Sequence, residues 1–246
     1  MTVLAVGAHP DDLELLCAGT LAKYVRRGDR VEMAVLARGD LGSATRSREE
    51  IAAIREGEAR RAAALLGAEL HWLGCDDLEI AFEPELRLRL MKLIRELRPE
   101  VILSHSGEDY MLDHQQAALL TEEASFGATV PHYRMARPRA AAGGLAAEEP
   151  AGVFPLPALY HFDTVGGLEF QPTEYVDISG TFELKRRMLA CHESQVEWIA
   201  DHEQTDLMEM MEVQSRFRGQ QCGARYAEGF RPLLRWGRVR PARLLP

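Results

Sequence analysis

The chain has 246 residues, enough for one large α/β domain, and its apolar content is that of an ordinary globular protein. A formal net charge of −9 argues against nucleic acid as a general partner, and no apolar run reaches the length of a membrane span. The N-terminus lacks the features of a secretory signal, and the four cysteines form no CxxC pair. The sequence therefore predicts a cytoplasmic protein with reduced thiols.

The first half of the chain alternates strand and helix patterns. The predicted strands cover 2–8, 31–37, 69–74 and 101–106, and the predicted helices cover 12–28, 46–67, 84–99 and 114–127. Such alternation indicates parallel strands joined by right-handed crossovers. The sequence therefore predicts a Rossmann-like α/β fold, with a mostly parallel sheet and helices on both faces.

The second half is less regular. Residues 131–157 are rich in Ala, Gly, Pro and Arg, which predicts a long mobile loop. The elements predicted after it are short strands over 158–163 and 174–179 and helices over 181–195 and near 203–217. We interpret residues 1–246 as one domain, in which 1–130 form the Rossmann-like half and 158–246 supply the C-terminal strands and helices.

Polar residues follow the predicted strands. The first strand runs into His9-Pro10-Asp11-Asp12, and the fourth ends at His105. Ligands of parallel α/β sheets bind at the carboxyl ends of the strands. Adjacent carboxylates repel each other, and they are costly to desolvate unless a cation compensates. The cluster therefore predicts a bound cation at this edge.

A specific ligand set can be named. His9, Asp12 and His114 can converge if the first and fourth strands are neighbours, because His114 lies in the helix after the fourth strand. Two imidazoles and one carboxylate form a three-ligand zinc set with an open position, as in catalytic zinc sites. Fe²⁺ or Co²⁺ also suits these ligands. Asp11 would then accept a proton from metal-activated water.

Two further carboxylates stand beside these residues. Glu14 and Asp113 could hydrogen-bond the ligands and fix their orientation. The alternative is helix capping, by Asp11 or Asp12 after the first strand and by Asp113 after the fourth. Arg55 also has a simpler interpretation, as a solvated charge or an i,i+4 partner on an amphipathic helix.

Several motifs carry a resemblance to a known family. AHPDDLE at 8–14 and DYMLDHQQA at 109–117 are accompanied, in the family's order, by RGDLGSATRSREEIAAIREGEARRAAALLG, YVDIS, ELKRRMLACHESQ and RYAEGFR. On these motifs the chain resembles the LmbE-like (PIG-L) deacetylases, most of all the bacillithiol-pathway type. The resemblance implies a zinc-dependent N-deacetylase acting on a small-molecule N-acetylglucosamine conjugate. It also implies a homo-oligomer, with hexamers among the relatives.

The resemblance assigns roles to seven residues. They cover metal binding, proton abstraction, substrate binding and stabilisation of the oxyanion. The assignments are His9, Asp12 and His114 to the metal, Asp11 to the general base, Arg55 and Asp109 to the substrate, and Tyr110 to the oxyanion.

One motif departs from the family pattern. The usual H-x-D-H sequence reads MLDH at 111–114, so Met111 replaces a histidine thought to stabilise the transition state or protonate the leaving amine. A thioether does neither, because it has no acidic proton. His105 could supply the missing imidazole, or Asp11 could return the proton it accepted. Two other functions stay open: an amidase for a different or larger acyl group, and a metal- or sugar-binding homologue that has lost catalysis.

Overall fold

The computed structural model describes residues 1–81, 84–133 and 154–246, so the loop predicted over 131–157 lies mostly outside the described residues. The strands are β1 (Thr2–Gly7), β2 (Arg30–Ala37), β3 (Glu69–Cys75), β4 (Val101–Ser104), β5 (Ala158–Phe162), β6 (Glu174–Asp177) and β7 (Ala227–Pro232). The helices are α1 (Asp12–Leu16), α2 (Ala18–Arg27), α3 (Arg48–Leu66), α4 (Pro84–Leu97), α5 (Leu112–Ala128), α6 (Phe182–Leu189), α7 (Glu193–His202) and α8 (Leu207–Cys222).

The strands form a single seven-stranded sheet in the order β3-β2-β1-β4-β5-β7-β6. Strands β1 to β5 are parallel, whereas β7 pairs antiparallel with both β5 and β6. The predicted mostly parallel α/β sheet is therefore confirmed. Strands β2 and β3 extend the sheet on one side of β1, and β4 begins the other side. A crevice for a ligand is expected at the carboxyl ends of β1 and β4, where the strand order changes direction.

Helices cover both faces of the sheet, as predicted. Along β1, Val3 and Ala5 belong to one buried cluster, and Leu4 and Val6 belong to another. This alternation follows from the two-residue period of a strand. Residues of α2, α3, α6 and α8 pack into the first cluster, and residues of α4 and α5 pack into the second.

The helix predicted over 12–28 is broken at Cys17, where φ is −143°. The new N-terminus at α2 is capped from far away, because the Glu228 carboxylate accepts the backbone N–H groups of Gly19 and Thr20 at 2.9 and 2.7 Å. Lys185 contacts the same carboxylate at 2.5 Å. The break thus depends on a residue of β7, a strand that the sequence analysis did not predict.

The helix predicted over 181–195 is also broken, into α6 and α7. His192 stands at the break, with φ −87° and ψ 55°. The next turn is anchored to α3, since Ser194 donates from its backbone N–H and its hydroxyl to the Glu58 carboxylate at 2.9 and 2.6 Å. The helix predicted near 203–217 is α8. Among the described residues, no helix has the length and apolar content to cross a membrane.

Candidate active site and metal centre

The parallel pairing of β1 with β4 places the polar residues after each strand side by side. The register runs from Val3↔Val101 to Val6↔Ser104, so His9 and His105 follow neighbouring strand ends. His114 lies in the N-terminal turn of α5, the helix that follows β4. The convergence predicted for His9, Asp12 and His114 depends on this neighbourhood, and the structure brings the three together.

Asp12 lies between the two histidines. One carboxylate oxygen, Oδ1, is 3.3 Å from Nε2 of His114, and Oδ2 is 3.7 Å from Nδ1 of His9. Oδ2 also accepts the backbone N–H of His9 at 2.7 Å, which fixes the turn after β1. Each of the three side chains has one nitrogen or oxygen donor atom that lies within 4.8 Å of the donor atoms of the other two.

A carboxylate stands behind each histidine. Nε2 of His9 is 3.0 Å from Oδ2 of Asp113, and Nδ1 of His114 is 3.1 Å from Oδ1 of Asp109. The second pair is at ion-pair distance without the alignment of a hydrogen bond. Each imidazole thus turns one nitrogen to Asp12 and the other to a carboxylate, as metal-binding histidines do.

Within this cluster, neighbouring charges counteract the effect of burial on the pKa of each residue. Burial alone would lower the pKa of His114, yet the Asp12 and Asp109 carboxylates raise it to about 10. Burial likewise opposes protonation of His9, whose pKa is raised by Asp113 and Asp12. For Asp12, the neighbouring imidazoles outweigh burial and hold the pKa well below its usual range. Concentrated negative charge around two imidazoles is the environment that a divalent cation satisfies.

These residues therefore fit a divalent cation. Two imidazoles and a carboxylate present donor atoms to one point, and their remaining nitrogens already have acidic partners. Two other clusters of the described residues bring donor atoms equally close. In His105–Asp109–His114, two side chains have no exposed surface. In Glu32–Glu69–His71, the Glu32 carboxylate already contacts Arg30 and His71.

Asp11 adopts an uncommon backbone conformation, with φ 107° and ψ −26°. Positive φ in a non-glycine residue costs about 1–3 kcal/mol and persists where surrounding contacts enforce it. Here Nη2 of Arg55 donates to the Pro10 carbonyl at 2.6 Å and lies 3.4 Å from Oδ2 of Asp11. Asp11 keeps 14% side-chain exposure, against 6% for Asp12, so Asp11 is the more accessible carboxylate.

Burial and charge act differently on Asp11. Burial raises its pKa to about 6, and the nearby Arg55 guanidinium only partly offsets the effect. Arg55 lies in α3 and is buried, and its Nη1 donates to the Gly39 carbonyl at 3.3 Å. Gly39 is required there, because its φ is +68° and a Cβ would stand 2.5 Å from the guanidinium. The structure thus shows Arg55 as a residue of the site and not as a solvated surface charge.

The structure disfavours His105 as the replacement for the missing imidazole. Its side chain is completely buried, and its Nε2 is 3.0 Å from both Asp12 Oδ2 and the Ala8 backbone N–H. Burial lowers the pKa of His105 to about 4, so it carries no second proton at neutral pH. A neutral, enclosed imidazole stacked at 4.1 Å on His114 supports the ligands more readily than it protonates an amine.

Three other predicted residues lie in different surroundings. Tyr110 is 65% exposed and its ring stands edge-on to His114 with centroids 6.2 Å apart. The partial burial of the ring, together with the Glu203 and Asp109 carboxylates, raises the pKa of its hydroxyl to about 12, which keeps it a donor. Asp109, expected to bind substrate, has no exposed side-chain surface and instead contacts His114 and the Met111 backbone N–H. Glu14, expected to hold a ligand, instead contacts His192, with Oε2 3.4 Å from Nε2.

His192 is the site residue that sequence reasoning missed. It is fully buried, and although burial opposes its protonation, the Glu14 and Asp11 carboxylates raise its pKa. Its ring nitrogens, Glu14 Oε1 and Arg55 Nε are all buried without an aligned hydrogen bond. The signal was the CHESQ sequence, which looked like helix interior because the break before α7 has no Gly or Pro.

Comparison with known proteins places this chain in a family. A family model described as GlcNAc-PI de-N-acetylase, PIG-L, matches residues 4–125. Diacetylchitobiose deacetylase from Thermococcus kodakarensis is 30% identical, over 93% of this chain and 82% of its own length. The chain belongs to the PIG-L (LmbE-like) deacetylase family. The motif resemblance is thereby confirmed.

Other family relatives differ in their reactions. A probable N-acetyl-alpha-D-glucosaminyl L-malate deacetylase 2 from Bacillus anthracis is 35% identical over 52% of this chain and 60% of its own. The 4-oxalmesaconate hydratase of Pseudomonas putida is 25% identical over 77% of this chain and 72% of its own.

Solved structures match the whole fold. The N,N'-diacetylchitobiose deacetylase of Pyrococcus horikoshii superimposes with a TM-score of 0.77 at 25% identity, covering 94% of this chain and 83% of that one. The 4-carboxy-2-hydroxymuconate hydratase of Pseudomonas putida gives a TM-score of 0.78 at 24% identity, covering 98% and 99%. The fold is thus shared by proteins of both reaction types.

Proposed function

We propose that the protein is a metal-dependent hydrolase that removes the acetyl group from an N-acetylglucosamine-type amine. The observation that carries the proposal is the juxtaposition at the end of β1: His9, Asp12 and His114 form a divalent-cation set, and Asp11, the next residue to Asp12, is more exposed than Asp12. Family membership and the deacetylase relatives support the same reaction.

The proposed ligands are His9, Asp12 and His114, and zinc is the cation we expect, with Fe²⁺ or Co²⁺ able to replace it. A bound cation would polarise the amide carbonyl and lower the pKa of water. Asp113 and Asp109 would hold the two imidazoles in their ligating orientation.

Asp11 is the proposed general base, accepting a proton from the attacking water. Arg55, 3.4 Å from its Oδ2, would hold the carboxylate in place and bind a substrate oxygen. Tyr110, exposed beside His114, would donate to the oxyanion. Because Met111 has no proton to give and His105 is buried and neutral, the protonated Asp11 would return its proton to the departing amine.

Acetate release tests the proposal. The purified protein, stripped with a chelator and reloaded with zinc, would be given diacetylchitobiose and N-acetylglucosaminyl malate, with acetate measured enzymatically. We expect release that needs zinc and is absent in His114→Ala. Zinc retention without acetate release from either substrate would contradict the deacetylase proposal and favour a larger acyl group or a binding role.

Water addition to a carbon–carbon double bond is a second candidate. The observation that favours it is the resemblance to 4-oxalmesaconate hydratase over 77% of this chain. The same base would deprotonate the water whose oxygen adds to one carbon of the double bond, and the proton would then pass to the other carbon, so no amine would leave. Loss of ultraviolet absorbance from a conjugated unsaturated dicarboxylate, with no acetate from the sugars, would select this reaction.

We also propose that the chain assembles as a homo-oligomer, with a hexamer as one form, and works in the cytoplasm. Light scattering of the purified protein measures the first. A monomer at working concentration would contradict it.

A further inference from the structure

We propose that the Asp77–Leu78 step after β3 is a positioning element that fixes both halves of the site, the His9 ligand and the Asp11–Arg55 pair. The inference rests on the proposed metal-dependent function. It assigns no contact with substrate to either residue. Two chains of hydrogen bonds start at these adjacent residues.

The first chain begins at the Asp77 side chain. Its Oδ1 accepts the Gly39 backbone N–H at 2.7 Å, and its Oδ2 accepts the Leu41 backbone N–H at 3.1 Å. The carbonyl of the same Gly39 accepts Nη1 of Arg55 at 3.3 Å. Asp77 therefore sets the position of the loop that holds Arg55 against Asp11.

The second chain begins one residue later. The Leu78 backbone N–H donates to Oδ2 of Asp113 at 2.8 Å, and the same oxygen is 3.0 Å from Nε2 of His9. Leu78 adopts φ +66°, although its side chain is 57% exposed and gains little from burial. A leucine held at positive φ without burial indicates that its neighbours enforce the backbone position.

A reciprocal contact locks the step. The Asp77 backbone N–H donates to Oδ1 of Asp40 at 2.8 Å, so each carboxylate accepts N–H groups from the other's segment. Asp40 is buried and is also paired with Arg48. Asp40 follows β2 and Asp77 follows β3, so this contact joins the segments after the two strands. Both chains of hydrogen bonds begin there.

Two simpler roles make different predictions. If Asp77 only stabilises the fold, its loss lowers the melting temperature without changing metal affinity. If its carboxylate binds substrate, its loss raises KM and again spares the metal. A positioning element alters both zinc affinity, through Asp113 and His9, and KM, through Arg55.

The test uses Asp77→Asn, since asparagine keeps the shape but cannot accept both loop N–H groups. Zinc affinity of the full-length protein would be measured by competition with a chromophoric chelator, which needs no substrate. We expect affinity to fall, by no more than the about 10-fold to 100-fold that follows loss of an outer partner of a metal ligand, because Asp113 stays in place, and KM to rise. The matched control is Asp206→Asn, whose carboxylate accepts two backbone N–H groups at the start of α8 at 2.9 and 3.0 Å.

A double-mutant cycle identifies the route. If Asp77 acts on His9 through Asp113, the zinc affinity lost in Asp77→Asn plus Asp113→Ala will be less than the sum of the single losses. Asp40→Ala, which keeps the Asp77 carboxylate but removes the acceptor of the Asp77 N–H and the partner of Arg48, serves if Asp77→Asn does not fold. Zinc affinity equal to that of Asp206→Asn would overturn the proposal. Zinc binding by the wild type without acetate release would defeat the deacetylase proposal alone.

Discussion

On the two sides of Asp12, burial and neighbouring charge have opposite net effects on the pKa values of the adjacent groups. One side, the histidine side, holds His9 and His114, and the other, the Asp11 side, holds Asp11 and Arg55. On the histidine side, carboxylates stand behind His9 and His114 and raise the pKa of each imidazole in spite of burial. On the Asp11 side, a cation stands behind the carboxylate, yet burial prevails and raises the pKa of Asp11 to about 6. Similar burial thus gives opposite balances of burial and charge around one carboxylate, Asp12.

The difference matches the two tasks that the proposed function gives this site. A metal ligand benefits from a fixed, electron-rich nitrogen, which a carboxylate behind the ring provides. A general base benefits from a pKa near the working pH, so that it can both accept and return a proton. Under the proposed function, the site separates metal binding from proton transfer, and substitutions on one side should leave the other side's function intact.

The largest expected effect comes from Asp11→Asn. Removing the base should lower turnover by about 100-fold to 10,000-fold, while zinc stoichiometry stays at the wild-type level because the ligands are untouched. Acetate release and metal analysis of the same preparation measure both quantities. Turnover close to wild type would assign the base to another group, and loss of zinc would show that the two sides are not separable.

Next in size is Asp113→Ala, on the histidine side. It removes the partner of His9 Nε2, and zinc affinity should fall about 10-fold to 100-fold. Asp109→Ala is the comparison, because Asp109 lies at ion-pair distance from His114 without the alignment of a hydrogen bond. We expect it to weaken zinc less. The reverse order, measured by chelator competition, would mean that charge matters more than orientation.

Sequence reasoning reached the histidine side because its signals are local. Alternating strands and helices predict the parallel sheet, and His9 and Asp12 follow β1 directly. His114 needed only that β1 and β4 be neighbours. The sheet and the placement of these three residues follow from hydrophobic periodicity and from where the strands end. Both features are visible in short stretches of sequence.

The features that it missed depend on distant partners. The break between α1 and α2 needs Glu228, which is 209 residues from Gly19. The break before α7 needs Glu58 to receive Ser194, 136 residues away. His192 enters the site only because of that second break. Contacts between residues so far apart in sequence produce no hydrophobic periodicity. The sequence pattern therefore could not predict that His192 lies beside Asp11.

His192→Asn tests that contribution. It would leave the Glu14 carboxylate buried without the imidazole that now lies 3.4 Å from it. Leaving a buried charged group without its partner costs about 1–3 kcal/mol. A loss of about 1.4 kcal/mol in the placement of the neighbouring Asp11 would lower turnover about tenfold, with zinc affinity unchanged. Ser194→Ala is the control, since it disturbs the same break through Glu58. An equal loss of turnover in both variants would reduce His192 to a structural residue.

The smallest effect is expected from Met111→His, which restores the family's usual motif. Met111 precedes α5, and its backbone N–H is already held by Asp109 at 3.1 Å, so the substitution leaves the local backbone contacts in place. If the protonated Asp11 already serves the departing amine, a new imidazole adds a second route and changes kcat by no more than about threefold, on the order of 1 kcal/mol. A gain of about 100-fold or more, within the usual range for general acid catalysis, would show instead that the wild-type site lacks an effective proton donor. Its natural reaction would then be one in which no amine needs a proton, and the hydration of a double bond would become the stronger candidate.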